Sequence, residues 1–140
     1  MQELTVFITH HPLLSVATLL VFIIVMVIEL IRARRNVYNL SPAQVTQLMN
    51  RENAIVIDIR ANEIYRKSRI IDAQSIPPKD ILQNPKRLEK FKARPIIIVS
   101  NASSESQKIA AFLLKHGYNA YSLNGGIRAW SEAQMPLIGE

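Results

Sequence analysis

The sequence predicts an α/β domain, with a central parallel sheet flanked by helices, preceded by one transmembrane helix. Three observations predict it. No residue from 4 to 28 carries a formal charge. Two nearly continuous β-branched runs, residues 54–59 and 95–99, suit strands covered on both faces. Helical sequence follows each run, and strands alternating with helices build parallel sheets. The chain has 140 residues, 49% apolar and 20% charged, with no cysteine and a formal charge of +6. That length holds one ordinary domain with a little to spare. Disulfides, thiolate metal sites and cysteine nucleophiles are excluded, because each needs a sulfur the chain lacks. Extended disorder, collagen and coiled coil do not fit the composition.

Residues 1–12 read as an N-terminal tail. Its adjacent His10 and His11 have no further ligands beside them, and zinc takes three or four, so they read as a solvated pair and no metal is expected. Residues 13–31, LLSVATLLVFIIVMVIELI, read as the span, with Glu29 the only charge. At 1.5 Å per residue a helix of this length covers roughly 30 Å, the thickness of the hydrocarbon core. Pro12 stands where a helix start tolerates proline. Arg32, Arg34 and Arg35 follow directly, whereas only Glu3 is charged before the span. This basic excess predicts a cytoplasmic C-terminal side and an N-terminus outside. A cleaved signal peptide would need a basic start and small residues at a cut site, and neither is present. Residues 32–40 read as a basic juxtamembrane tether.

The domain is expected over residues 41–138. Ser41 and Pro42 supply an N-cap and a first-turn proline for a helix to about Met49. Residues 54–59 make the first buried strand, and 73–76 a short extended piece ended by Pro77 and Pro78. Helical, charged sequence over 79–92 leads to the second buried strand at 95–99. A polar loop over 100–103 follows, then Ser104 and Gln107 at capping-box spacing. The helix they open carries Ile109, Ala110, Phe112, Leu113 and His116 with a period near 3.6 and stops at Gly117. Residues 119–123 form a last strand. Asn124, Gly125 and Gly126 turn the chain into a final helix through Trp130, closed by Pro136. Phe112, Tyr121 and Trp130 are expected in the core. Ligands of such sheets bind where strands end and helices begin, which places the 100–106 loop.

Two stretches of this sequence resemble family signatures. Ile57-Asp58-Ile59-Arg60, then Glu63, Tyr65, Ile70, Ala73, Ile76 and Pro77, resembles the opening signature of rhodanese-homology domains. Tyr121, Leu123, Gly125-Gly126-Ile127, Ala129-Trp130 and Pro136-Leu137 resemble the closing one. Between them, the strand at 95–99 with its six-residue loop is similar to the one that delivers the catalytic cysteine. A single-pass anchor ahead of one such domain further resembles bacterial membrane-tethered rhodanese-like proteins, which implies the bacterial inner membrane. In active members that cysteine carries sulfane sulfur as a persulfide, cradled by loop N–H groups. Here the position is Ser100. Ser103 stands where the family often has glycine, Glu105 where it often has arginine, Ser68-Arg69 where Gly-His is common, and Asp72 where glycine is common. In the family the Asp58–Arg60 pair supports the fold.

Sulfur transfer needs a thiolate that holds sulfur in a reversible S–S bond. A serine hydroxyl is scarcely ionised at neutral pH, and activating it requires an adjacent base. His116, the only histidine of the domain, lies about three helical turns, roughly 15 Å, beyond the loop. No catalytic residue is therefore expected: Ser100 ends its strand and lines the loop. The backbone donors over Ser100, Asn101, Ala102, Ser103, Ser104, Glu105 and Ser106 make an anion-cradle candidate. Glu105 works against a bound anion, and its own interaction with the helix dipole is worth about 0.3–1 kcal/mol. Asp58 and Arg60, two apart, point to one side of their strand. They read as structural, with Gly125, Gly126 and Trp130. From Asn36 onward there are 14 basic and 9 acidic residues, the bases concentrated over 79–94. No aromatic-basic motif supports nucleic-acid binding, so this reads as a solvated face drawn to the anionic inner leaflet at about 1 kcal/mol per residue brought close. The expected partners are the bilayer, through residues 13–31, and a protein, with no cofactor. The reading is a catalytically inactive binding or regulatory module at the cytoplasmic face. The alternative is a sulfurtransferase-type enzyme that works with a partner's cysteine.

Overall fold

The computed structural model describes the backbone of residues 1–140 and the side chains of all but 35–37. It divides into two units, Met1–Asn36 and Val37–Glu140. The first unit contains helix α1, Gln2–His10, and most of helix α2, Pro12–Val37. Residues expected as a tail are thus helical: the α1 ladder closes on itself, with the His11 N–H donating to the Phe7 carbonyl at 2.9 Å. The stretch Pro12–Arg34 is long and apolar enough to cross a membrane, and none of its residues is buried. Glu29 pairs with Arg32 one turn on, at 3.6 Å. The residues expected as a tether continue α2 and then enter the sheet, because Asn39 and Leu40 have backbone partners in the domain. The side chain of Arg35 lies outside the described residues.

The second unit is a five-stranded, all-parallel sheet: β1, Asn39–Leu40; β2, Ile55–Asp58; β3, Gln74–Ser75; β4, Ile96–Val99; and β5, Ala120–Leu123. The spatial order is β1-β5-β4-β2-β3. Its helices are α3, Pro42–Arg51; α4, Asn62–Lys67; α5, Pro78–Gln83; α6, Ser103–Lys115; and α7, Gly126–Glu132, with a 3₁₀ segment at Pro85–Phe91. Strand side chains alternate between the two faces, so the β-branched runs feed two cores. Ile55, Ile57, Ile96 and Ile98 pack with Ile81, Leu88, Phe91, Ile109 and Leu113. Val56, Ile97 and Val99 pack with Val45, Ile70, Leu123 and Trp130. Continuous isoleucine and valine are what a strand buried on both faces requires, and β4 is wholly buried.

Ser41 caps α3 as the sequence predicts, and Gln44 returns a bond. The Gln44 N–H donates to Ser41 Oγ at 3.3 Å, and the Ser41 N–H donates to Gln44 Oε1 at 2.9 Å. Two expectations are corrected. The charged stretch after Pro77 is not one helix, since Pro85 has no N–H to continue the ladder of α5 and opens the 3₁₀ segment instead. The capping box at Ser104 and Gln107 does not form either. Extended Ala102 is the N-cap, α6 starts at Ser103, and Ser104 lies inside the first turn.

Candidate functional site

Buried β4 delivers Ser100 to the end of the sheet where ligands of this architecture bind. Ser100 is buried, and its hydroxyl donates to the Ala102 carbonyl across a tight turn. The hydroxyl proton is thus engaged by the loop's own backbone. The remaining loop residues differ in exposure: Asn101, Ala102, Ser104 and Glu105 are exposed, Ser103 is half-buried, and Ser106 is fully buried. Ser106 Oγ donates to the Ser103 carbonyl at 3.0 Å, so it ties down the first turn of α6.

The turn before α7 holds the loop from the other side. Ile127 N–H donates to the Ser100 carbonyl at 3.1 Å. Gly126, at φ +63°, lies so close that a Cβ there would overlap the carbonyl oxygens of Ser100 and Asn101. Here glycine is required twice, for its left-handed backbone and for the approach. The Gly125-Gly126 turn is therefore part of the loop's wall. Residue spacing alone had assigned it only to a turn.

The other signature residues hold the scaffold. Asp58 and Arg60 form a bidentate pair: Arg60 Nη2 donates to Asp58 Oδ2 at 2.6 Å and Nε to Oδ1 at 2.9 Å, with both side chains almost fully buried. Nη2 also donates to the Ser68 carbonyl at 2.6 Å, joining the end of β2 to the segment after α4. Tyr65 donates its hydroxyl to the Ala73 carbonyl at 2.5 Å, and the Trp130 indole donates to the Pro136 carbonyl at 3.0 Å. Trp130 is buried as expected, while Tyr121 and Phe112 are half-buried against the two cores. Asp72 takes φ +58°, the left-handed region that favours glycine.

His116 is the C-cap of α6, at the opposite end of the helix from Ser100, with its Nδ1 within 2.8 Å of the Phe112 carbonyl oxygen. It cannot serve as a base for Ser100. Tyr118, an acid whose titration is shifted, also lies at the far end of the sheet, in the turn that opens β5. Burial, then the nearby Glu89 carboxylate, pushes its phenol above the usual value, and its hydroxyl donates to the Pro85 carbonyl at 2.6 Å. At the loop the arrangement offers a buried hydroxyl already engaged, backbone donors and an exposed carboxylate. It offers no activated nucleophile.

A family model described as Rhodanese-like domain matches residues 41–133. The YibN protein of Escherichia coli is 31% identical over 140 residues, covering 99% of this chain and 98% of that protein. The thiosulfate sulfurtransferase GlpE of Pseudoalteromonas translucida is 31% identical over 101 residues, 71% of this chain and 94% of that one. Among solved structures, a rhodanese-related protein from Thermoplasma volcanium superposes with a TM-score of 0.66 at 22% identity. That superposition covers 73% of this chain and 98% of the other and shows the shared fold.

Proposed function

The chain belongs to the rhodanese-like domain family, and from that premise we propose a membrane-anchored module that keeps the family's scaffold without its sulfur chemistry. It binds a protein partner or regulates one at the cytoplasmic face of the inner membrane. One observation carries the reading: the residue at the end of β4 is Ser100, its hydroxyl donated to the Ala102 carbonyl, in a chain with no cysteine. A persulfide needs a thiol, and oxygen forms no comparably durable bond to sulfane sulfur. Glu105 argues the same way, because a carboxylate in the first turn of α6 repels the anionic substrates that a sulfur carrier receives. The anchor is supported by the length and apolarity of Pro12–Arg34, and the orientation by the arginines that follow the span. The match to YibN runs over 99% of the chain and so includes this segment.

The likeness to GlpE, whose name states thiosulfate sulfurtransferase, favours a second reading in which a partner supplies the thiol. A single assay separates them. Full-length protein in detergent is tested for thiocyanate release from thiosulfate and cyanide, alone and with a small thiol protein added, beside Ser100→Ala. The module reading expects no release above buffer, no release with the added thiol above that of the thiol protein alone, and no sulfur adduct by intact mass, Ser100→Ala behaving alike. Turnover by the chain alone overturns it. Turnover that needs the added thiol establishes the second reading.

A further inference from the structure

All five strands run in one direction, so the domain has two ends of different chemistry. Ser100, Asp58 and the Gly125-Gly126 turn lie where the strands finish. At the other end, the turns that open β2, β4 and β5 are bonded together. Arg94 Nε donates to the Asn53 carbonyl at 2.7 Å, the Ile55 N–H to the Pro95 carbonyl at 2.8 Å, and the Ile96 N–H to the Asn119 carbonyl at 2.8 Å.

This opening end and the 3₁₀ segment beside it carry Arg51, Lys86, Lys90, Lys92, Arg94 and Lys115, besides Arg87, which pairs with Asp80, against Glu52 and Glu89. Among the described residues none of these six cations is in an ion pair. Three are held over an aromatic floor. Lys90 Nζ stands 4.9 Å and the Arg94 guanidinium 5.9 Å from the centre of the Phe91 ring, and Lys92 Nζ 5.5 Å from that of Tyr118. Both rings are buried, so the floor is part of the core, with Lys90 and Lys92 exposed above it and Arg94 half-buried. The loop end differs: its seven cations, Lys79, Lys108, Arg128 and the four over residues 60–69, stand against six acids, Asp58, Glu63, Asp72, Glu105, Glu132 and Glu140, and Arg60 and Arg128 are paired. The positive excess of the domain is therefore gathered at one end.

The chain also joins the sheet from that end. Strand β1 is parallel to β5, with Asn39 opposite Ser122, so Tyr38 enters β1 at the end of the sheet where β5 begins. The Tyr38 carbonyl accepts the Ser122 N–H at 2.8 Å, which fixes this entry. We propose that the basic opening end of the domain docks on an anionic bilayer surface, leaving the Ser100 end directed to the aqueous phase. The proposal rests on the anchored reading above. Charge complementarity chooses the occupant: a surface dense in phosphodiesters answers several cations spread over adjacent turns.

The test uses the full chain reconstituted in nanodiscs of phosphatidylcholine alone or mixed with phosphatidylglycerol. Lysine acetylation is followed residue by residue by mass spectrometry. In anionic discs, Lys90, Lys92 and Lys115 are expected to react about fivefold more slowly than in neutral discs, with Lys79 unchanged. Raising the salt removes the difference, and the Lys90→Glu, Lys92→Glu variant restores the labelling of Lys115. Equal rates in both discs, with the protein co-eluting with both, overturn the proposal and leave the anchor standing. Co-elution with anionic discs only supports the basic end and overturns the anchor, and co-elution with neither overturns both.

Discussion

Arg60 meets Asp58 through two nitrogens and spends its remaining reach on the Ser68 carbonyl, with the carboxylate only 1% exposed. Removing one member of such a pair leaves a buried charge without its counterion, which costs about 3–5 kcal/mol. Arg60→Ala is therefore expected to lower unfolding free energy by that amount, measured by urea denaturation of the full chain in detergent. A loss below 1 kcal/mol would show that water or another cation replaces the guanidinium. The pairing was legible in the sequence because side chains two apart share a side of an extended chain. Other residue-scale facts were not. Nothing in the spacing says that the Ser100 hydroxyl turns back on Ala102, nor that Gly126 must clear two carbonyl oxygens. Both depend on how closely two loops from distant parts of the chain approach.

Elements show the same division between local and non-local causes. The buried strands β2 and β4 were readable because β-branched runs announce burial on both faces. The start of α3 was readable because Ser41 and Pro42 act within one turn. The start of α6 was misread at Ser104, since its serine-rich approach offers several caps and the turn at Ser100 settles where the helix begins. These two helices give a paired prediction. Ser41→Ala removes a side-chain acceptor for the Gln44 N–H and is expected to cost about 1 kcal/mol. Ser104→Ala, at an exposed position inside α6, is expected to be neutral or slightly stabilising, because alanine is the better helix former. Denaturation of both variants side by side checks the pair, and an equal loss would mean that Ser104 caps the helix after all.

At the scale of the whole molecule, the feature that argues against sulfur chemistry also makes the chain easy to interrogate. With no cysteine anywhere, a single introduced thiol is the only group a maleimide can label. The charge distribution around Pro12–Arg34 sets an expectation for the two sides: Glu3 before the segment, and Arg32 and Arg34 at its end with Arg35 following. Loops rich in arginine stay in the cytoplasm. Gln2→Cys in α1 and Ser131→Cys in α7 lie at exposed positions of their own units. In spheroplasts, a membrane-impermeant maleimide is expected to label Gln2→Cys at once and Ser131→Cys only after the membrane is permeabilised. The opposite pattern would reverse the orientation and remove the cytoplasmic partner from the proposed function. Labelling of both in intact spheroplasts would mean that the segment does not hold the domain across a membrane. Orientation matters for the module as a whole, because an anionic inner leaflet is what the cations around Phe91 and Tyr118 are suited to meet. In the proposed docking, that is the side on which the basic end would face its surface with the Ser100 end left free for the proposed partner.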